Sequence, residues 1–155
     1  MKATSYASMS DLQLLELCIW REARGEVYDG KRGVAHVIVN RSRKPNWWNY
    51  RQSGILANVI LYPYQFSSFN PTDLNQGKWP ADGDPSWAEC CAVALAVTNG
   101  SDEDNTDGAL YYFDSSIDFP VAWGNPSDYI ETLDVGHLRF FKPKAAITEP
   151  ANLED

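Results

Sequence analysis

The chain has 155 residues, 44 % of them hydrophobic, and a formal net charge of −8. That length suits one domain with a real interior, and the composition excludes an intrinsically disordered chain. The acidic balance argues against nucleic acid, whose binders carry basic patches, and against docking by charge onto an anionic surface.

No apolar run approaches the roughly 18–20 residues needed to span a bilayer, so no membrane insertion is expected. The stretch from Met1 to Asp11 holds one lysine and no apolar core, which does not fit a secretory signal. Synthesis in a cytoplasm is expected, with any action outside it following release. The three cysteines, Cys18, Cys90 and Cys91, show no CxxC spacing and read as small buried hydrophobes kept reduced.

The first helix is signalled by Ser10-Asp11-Leu12-Gln13, a capping box with Ser10 as N-cap, and Gly25 is its natural stop. Leu12, Leu15, Ile19 and Glu22 fall on one stripe, widened by Leu14, Leu17 and Cys18. Glu22 therefore sits in the last turn, on or beside the buried face. There the negative end of the helix dipole and burial both favour the protonated carboxyl, the state a general acid needs.

Val27 to Gly30 reads as a loop and Lys31 to Arg43 as a core helix, with Asn40 placed to cap neighbouring backbone groups. A short third helix is predicted over Gly54–Leu61, closed by Pro63. Residues 62–84 read as a long irregular segment, the kind that in a compact domain is usually functional. Asp84-Pro85 opens a fourth helix running to Asn99-Gly100, with small residues at Ala88, Ala92, Ala94 and Ala96 for close packing. Ser101 to Asp107 is acidic and reads as exposed. Strands are predicted over 109–113, 130–133 and 138–141, the last two joined as a hairpin through Asp134 to His137. The remainder, 142–155, reads as a disordered acidic tail.

Aromatic residues make up 13 % of the chain and are dense between Trp47 and Trp87. They fit either the core of a loop-rich region or a groove whose ring faces meet sugar C–H surfaces while amides and hydroxyls bond sugar hydroxyl groups. Composition leaves both open.

Five blocks occur in order: Glu22-Ala23-Arg24-Gly25-Glu26, Gly33-Val34-Ala35 leading to Val39-Asn40-Arg41, Pro63-Tyr64-Gln65-Phe66-Ser67, Asp107-Gly108-Ala109-Leu110-Tyr111-Tyr112, and Gly136-His137-Leu138-Arg139-Phe140. Together they resemble the spore-cortex-lytic (SleB-type) cell-wall hydrolase family. The resemblance implies an α+β fold, a small lysozyme-like helical domain with a short antiparallel sheet, here one catalytic domain over 1–141. It implies cleavage of peptidoglycan glycan strands between N-acetylmuramic acid and N-acetylglucosamine. It also implies that Glu22 is the catalytic acid/base, with Glu26 matching the second glutamate of the motif as a further catalytic candidate. Residues 70–84 have no counterpart in the family pattern. The lack of a wall-binding module and of a signal peptide points to a stand-alone lysin, such as a phage endolysin, working as a monomer without metal or cofactor.

A lytic transglycosylase needs one glutamate as acid and then base, because the sugar's own 6-hydroxyl attacks. Hydrolysis of the same bond uses a second carboxylate. Glu26 shares a face with Glu22 only if the helix continues through Gly25; otherwise it is an exposed or arginine-paired carboxylate. Gln65, Phe66 and Ser67 in the aromatic segment, Tyr112 on its strand, and His137 at the hairpin turn are the substrate-binding candidates. Turn capping for Ser67 and a structural hydrogen bond for His137 are the plain alternatives. A metal-dependent amidase would need ligands from His36, His137 and acidic residues, with no HExxH pattern to carry them. A non-catalytic glycan-binding module remains the other class.

Overall fold

The structure, a computed structural model, describes residues 1–3, 5–44, 54–63, 65–70 and 77–145. Helix α1 spans Asp11–Ala23, and its capping box forms as predicted: the Ser10 hydroxyl accepts from Gln13 N and the Gln13 side chain accepts from Ser10 N. Leu14, Leu15, Leu17, Cys18 and Ile19 are buried, and α1 packs against all three other helices. Its first residue also organises a neighbour. The Asp11 carboxylate accepts from the backbone N–H groups of Leu56 and Ala57 at 2.9 and 3.2 Å, which caps the short helix α3, Leu56–Ile60.

Helix α2 spans Tyr28–Arg43, so it begins before the expected Lys31 and absorbs the segment read as a loop. Gly30, the last residue of that expected loop, is helical, and the Glu26 side chain lies over it. A Cβ on Gly30 would sit 3.2 Å from Glu26 Cβ. Helix α4, Pro85–Thr98, starts where expected, with the Asp84 side chain accepting from Ser86 N. Its buried face is Cys90, Val93, Ala94 and Val97, whereas Ala88, Ala92 and Leu95 face solvent. The buried Lys31 ammonium crosses from α2 to Glu89 on α4 at 2.7 Å.

The sheet contains β1 (Tyr111–Asp114), β2 (Tyr129–Val135) and β3 (Leu138–Pro143), in antiparallel order β1-β3-β2. Gly136 and His137 form the turn of the β2–β3 hairpin, with Val135 opposite Leu138 and Gly136 at φ 58°, a left-handed conformation that favours glycine. Lys142 and Pro143 belong to β3, opposite Ile130 and Tyr129, and not to a tail beginning at 142. Residues 146–155 lie outside the described residues.

One face of the sheet meets the helices through Phe140, which is fully buried, and the contact is made over Gly33 of α2. A Cβ at Gly33 would fall 2.4 Å from Phe140 Cζ, so only glycine admits the ring. The other face is covered by an aromatic cluster. Phe113 stacks on Phe141 at 5.3 Å, and Phe119 and Trp123, from the connection between β1 and β2, close over them. Among the described residues no helix is long and apolar enough to cross a membrane.

Candidate active site

Three consecutive residues at the end of α1 reach three different parts of the chain. Successive helical side chains diverge by about 100°, so one turn can serve several neighbours. Trp20 Nε1 donates to Asp84 Oδ2 at 3.1 Å, at the start of α4. Arg21 is buried and ties down the irregular segment: its Nε donates to Lys78 O, and its Nη1 to Ser68 O and Tyr6 Oη. Its guanidinium lies 4.9 Å from the Phe69 ring centre and 5.0 Å from that of Trp79. Glu22, partly buried, accepts a hydrogen bond of 2.7 Å from Tyr112 Oη on β1.

Tyr112 is placed by the register of the sheet. It stands opposite Phe140, with ring centres 5.7 Å apart, so the packing of Phe140 on Gly33 also sets the distance from the tyrosine to α1. Burial pushes the Tyr112 phenol well above its usual range, and the Glu22 charge adds to the effect. The phenol therefore stays protonated and donates to the carboxyl.

Glu22 opens into a cleft of about 470 Å³. Arg41, Gln65 and Phe66 line it together with Tyr112, and Tyr111, Ala122, Trp123 and Tyr129 complete its wall. Arg41 comes from α2 and is buried. Its Nε donates to Leu110 O at 2.6 Å and its Nη1 to Gln65 Oε1 at 3.3 Å, so one planar guanidinium joins the strand side to the loop side. Desolvation pushes its pKa down, and the Glu22 carboxylate pulls weakly the other way. Beside it Asn40 donates to Ala109 O and Asp104 Oδ2, the backbone role anticipated for it.

Of the sequence candidates, Glu22, Gln65, Phe66 and Tyr112 meet in this cleft. Ser67 is exposed and stands outside its lining. Glu26 and His137 do not line it either. The helix ends at Ala23, and Glu26 N returns to Ala23 O at 2.9 Å, so the chain turns Glu26 away from the continuation that would have stacked it on Glu22. Its carboxylate grips the β2–β3 turn instead, accepting from His137 N at 2.8 Å and meeting His137 Nδ1 at 2.9 Å. A Cβ at Gly136 would lie 2.7 Å from Glu26 Oε1, so the grip requires glycine there. His36 binds elsewhere, Nε2 to Asp102 Oδ1 at 2.7 Å, and Asp102 also receives Arg32, which half-buries an aspartate of the acidic segment expected to be exposed.

The sequence reading missed Arg41 as a cleft residue, and with it the aromatic wall of Tyr111, Trp123 and Tyr129. Aromatic density pointed to 47–87, where Phe66 alone lines the cleft among the described residues; Trp47, Trp48, Tyr50 and Tyr64 lie outside them. The signal for Arg41 was its place in the Val39-Asn40-Arg41 block, directly after the apolar run Val37 to Val39.

A sequence model of the family described as Cell Wall Hydrolase matches residues 25–141. This chain belongs to that family. Glu22 lies just N-terminal to the span matched by this cell wall hydrolase model. The spore cortex-lytic enzyme of Bacillus subtilis is 34 % identical over 124 residues, covering 77 % of this chain and 34 % of the relative. That of Halalkalibacterium halodurans is 33 % identical over 106 residues, covering 68 % of this chain and 28 % of the relative. The chain thus spans about a third of the length of these curated relatives. Among solved structures, the catalytic domain of the Bacillus cereus SleB protein superposes with a TM-score of 0.63 at 27 % identity, over 90 % of this chain and 94 % of that one. The catalytic domain of the germination-specific lytic transglycosylase SleB from Bacillus anthracis gives 0.63 and 27 %, over 91 % and 100 %. The chain therefore carries the α+β fold of the SleB catalytic domain, with four α-helices and a three-stranded antiparallel sheet among the described residues.

Proposed function

We propose that this chain cleaves the glycan strand of bacterial peptidoglycan between N-acetylmuramic acid and N-acetylglucosamine, as a lytic transglycosylase. One observation carries the reading: Glu22 is the one carboxylate lining the cleft among the described residues, and a neutral phenol holds it. Inverting hydrolysis needs a second carboxylate about 6.5–9.5 Å away, and retaining hydrolysis one at about 5–5.5 Å. Here the second glutamate of the motif is committed to the hairpin turn.

One carboxyl suffices for the intramolecular route. Glu22, protonated, gives its hydrogen to the bridging oxygen as the C1–O bond breaks. As carboxylate it then takes the hydrogen of the same sugar's 6-hydroxyl while that oxygen bonds to C1, which closes a 1,6-anhydro ring and restores the acid. Tyr112 holds the carboxyl in one orientation through both transfers. The likeness to a lytic transglycosylase domain supports the same route. The protein acts where the wall lies, outside the cell membrane, as a lysin of the endolysin type.

Mass spectrometry of fragments released from purified peptidoglycan tests this. Anhydro-muramic ends are expected, and reducing muramic ends from every cut would replace transglycosylase with hydrolase. Glu22→Gln keeps the shape and removes the titratable proton, and it is expected to lower turnover by about 10²–10⁴-fold with the fold intact. Undiminished release by that variant would end the assignment of Glu22.

A further inference from the structure

The connection between β1 and β2 does more than cover the sheet. Trp123 rests on a bed of rings, with centres 4.9 Å from Tyr111, 5.4 Å from Phe119 and 5.7 Å from Phe113. Tyr129 Oη donates to Trp123 O at 2.9 Å, which locks the turn that carries it. So supported, the indole is nonetheless only half-buried, and it lines the same cleft as Glu22. On the same short helical turn, two residues before it, Val121 is 94 % exposed, the most exposed large hydrophobic side chain among the described residues. A braced, half-open indole on a cleft wall next to an apolar side chain held out in water is arranged for a ligand with alternating apolar and polar surfaces.

We propose that the turn over residues 120–124 is a saccharide-binding platform. Trp123 receives the C–H face of one N-acetylhexosamine ring, and Val121, outside the lining but on the same turn, receives the N-acetyl methyl group of the next unit along the strand. The proposal rests on the glycan reading of the cleft and adds a reach beyond the cleaved bond. The rings beneath Trp123 fix its plane in advance, so little side-chain entropy is lost when a sugar docks. Because Val121 stands outside the enclosed part of the cleft, its contact is made only by a strand that extends past Trp123. Strands of several units are therefore held more tightly than a single disaccharide.

Calorimetric binding of peptide-free glycan oligomers of alternating N-acetylglucosamine and N-acetylmuramic acid tests it, with the whole chain carrying Glu22→Gln so that nothing is cut. In that background Trp123→Leu is expected to weaken binding about tenfold and Val121→Ser about threefold, the latter for long oligomers and not for the disaccharide. Val121→Ser alters an exposed side chain and leaves the fold alone, so it decides the matter even if Trp123→Leu fails to fold. Affinities equal to the parent in Val121→Ser, or no binding by the parent, overturn the platform. If the unsubstituted protein releases no wall fragments while the oligomers bind through Val121, the lytic reading falls and the platform stands.

Discussion

Glu26 and His137, 111 residues apart in sequence, form a two-point clasp in which one carboxylate meets both the backbone N–H and the ring Nδ1 of the histidine. The clasp joins the corner between α1 and α2 to the tip of the β2–β3 hairpin. The carboxylate side chain is 11 % exposed and the imidazole 74 %, so the charge is sheltered on one side and open on the other.

The clasp makes His137 a reporter of pH. The hydrogen bond to Glu26 and then its charge raise the imidazole pKa above 6.5, and Asp114 adds a smaller push. A histidine with a raised folded value lends stability fully present below its unfolded pKa and lost as pH rises through the folded one. The thermal midpoint of Glu26→Gln should therefore fall further below that of the parent at pH 5.5 than at pH 8.5. An NMR titration of the His137 ring should show a lower pKa in Glu26→Gln; an unmoved titration would mean the clasp does not hold in solution.

Tyr112→Phe keeps the ring against Phe140 and removes the one hydrogen bond to Glu22 that it supplies. A hydrogen bond to a charged partner is worth about 1.5–3 kcal/mol, so turnover should fall about 10- to 100-fold if that bond is fully used at the transition state. KM should move little, and the pH profile of kcat should shift. A thermal midpoint that falls while kcat stays constant would assign Tyr112 to packing alone.

Gly33→Ala is a test of the helix–sheet contact. Alanine is the better helix former by about 1 kcal/mol, but here its Cβ would meet the buried Phe140 ring at 2.4 Å. Overpacking of this kind costs typically about 1–3 kcal/mol. Denaturant unfolding should show a net loss of stability, and Phe140→Leu in the same chain should recover part of it. A more stable Gly33→Ala protein would mean the ring has room to move.

Arg21→Ala removes the donors to Lys78 O, Ser68 O and Tyr6 Oη. Bonds to a charged donor count for about 1.5–3 kcal/mol each before relaxation, so the variant should lose several kcal/mol. Hydrogen exchange should rise first around Ser68 and Lys78, and activity should fall as Gln65 and Phe66 lose their anchored neighbour. Exchange that rises uniformly across the chain would show global destabilisation instead of a local release.

Where local chemistry decides, the sequence was readable. Ser10 and Gln13 close the cap of α1, Asp84-Pro85 opens α4, and the alternation around Tyr112 puts it on a strand face, because each depends on residues a few positions apart. The resemblance pointed to Glu22, and the aromatic segment and strand alternation to Gln65, Phe66 and Tyr112, four residues that line one cleft. The start of α2 was not readable: its N-cap Val27 offers no side-chain cap and Gly30 lies in its first turn, packed under Glu26. The buried face of α4 was equally hidden, since its apolar residues run nearly all round and only the positions of α1 and α2 select Cys90, Val93, Ala94 and Val97.

The chain by itself thus specified the order of the main elements, the family and the position of the glutamate in the last turn of α1. Only the tertiary structure decided which partner each polar group meets: Tyr112 for Glu22, the hairpin turn for Glu26, Gln65 and Leu110 for Arg41. The reason is one of range. Caps and periodicity are written within a turn or two of chain, while a hydrogen bond across 90 residues, such as that of Tyr112 to Glu22, exists only after the sheet has docked on Gly33 and brought its two ends together.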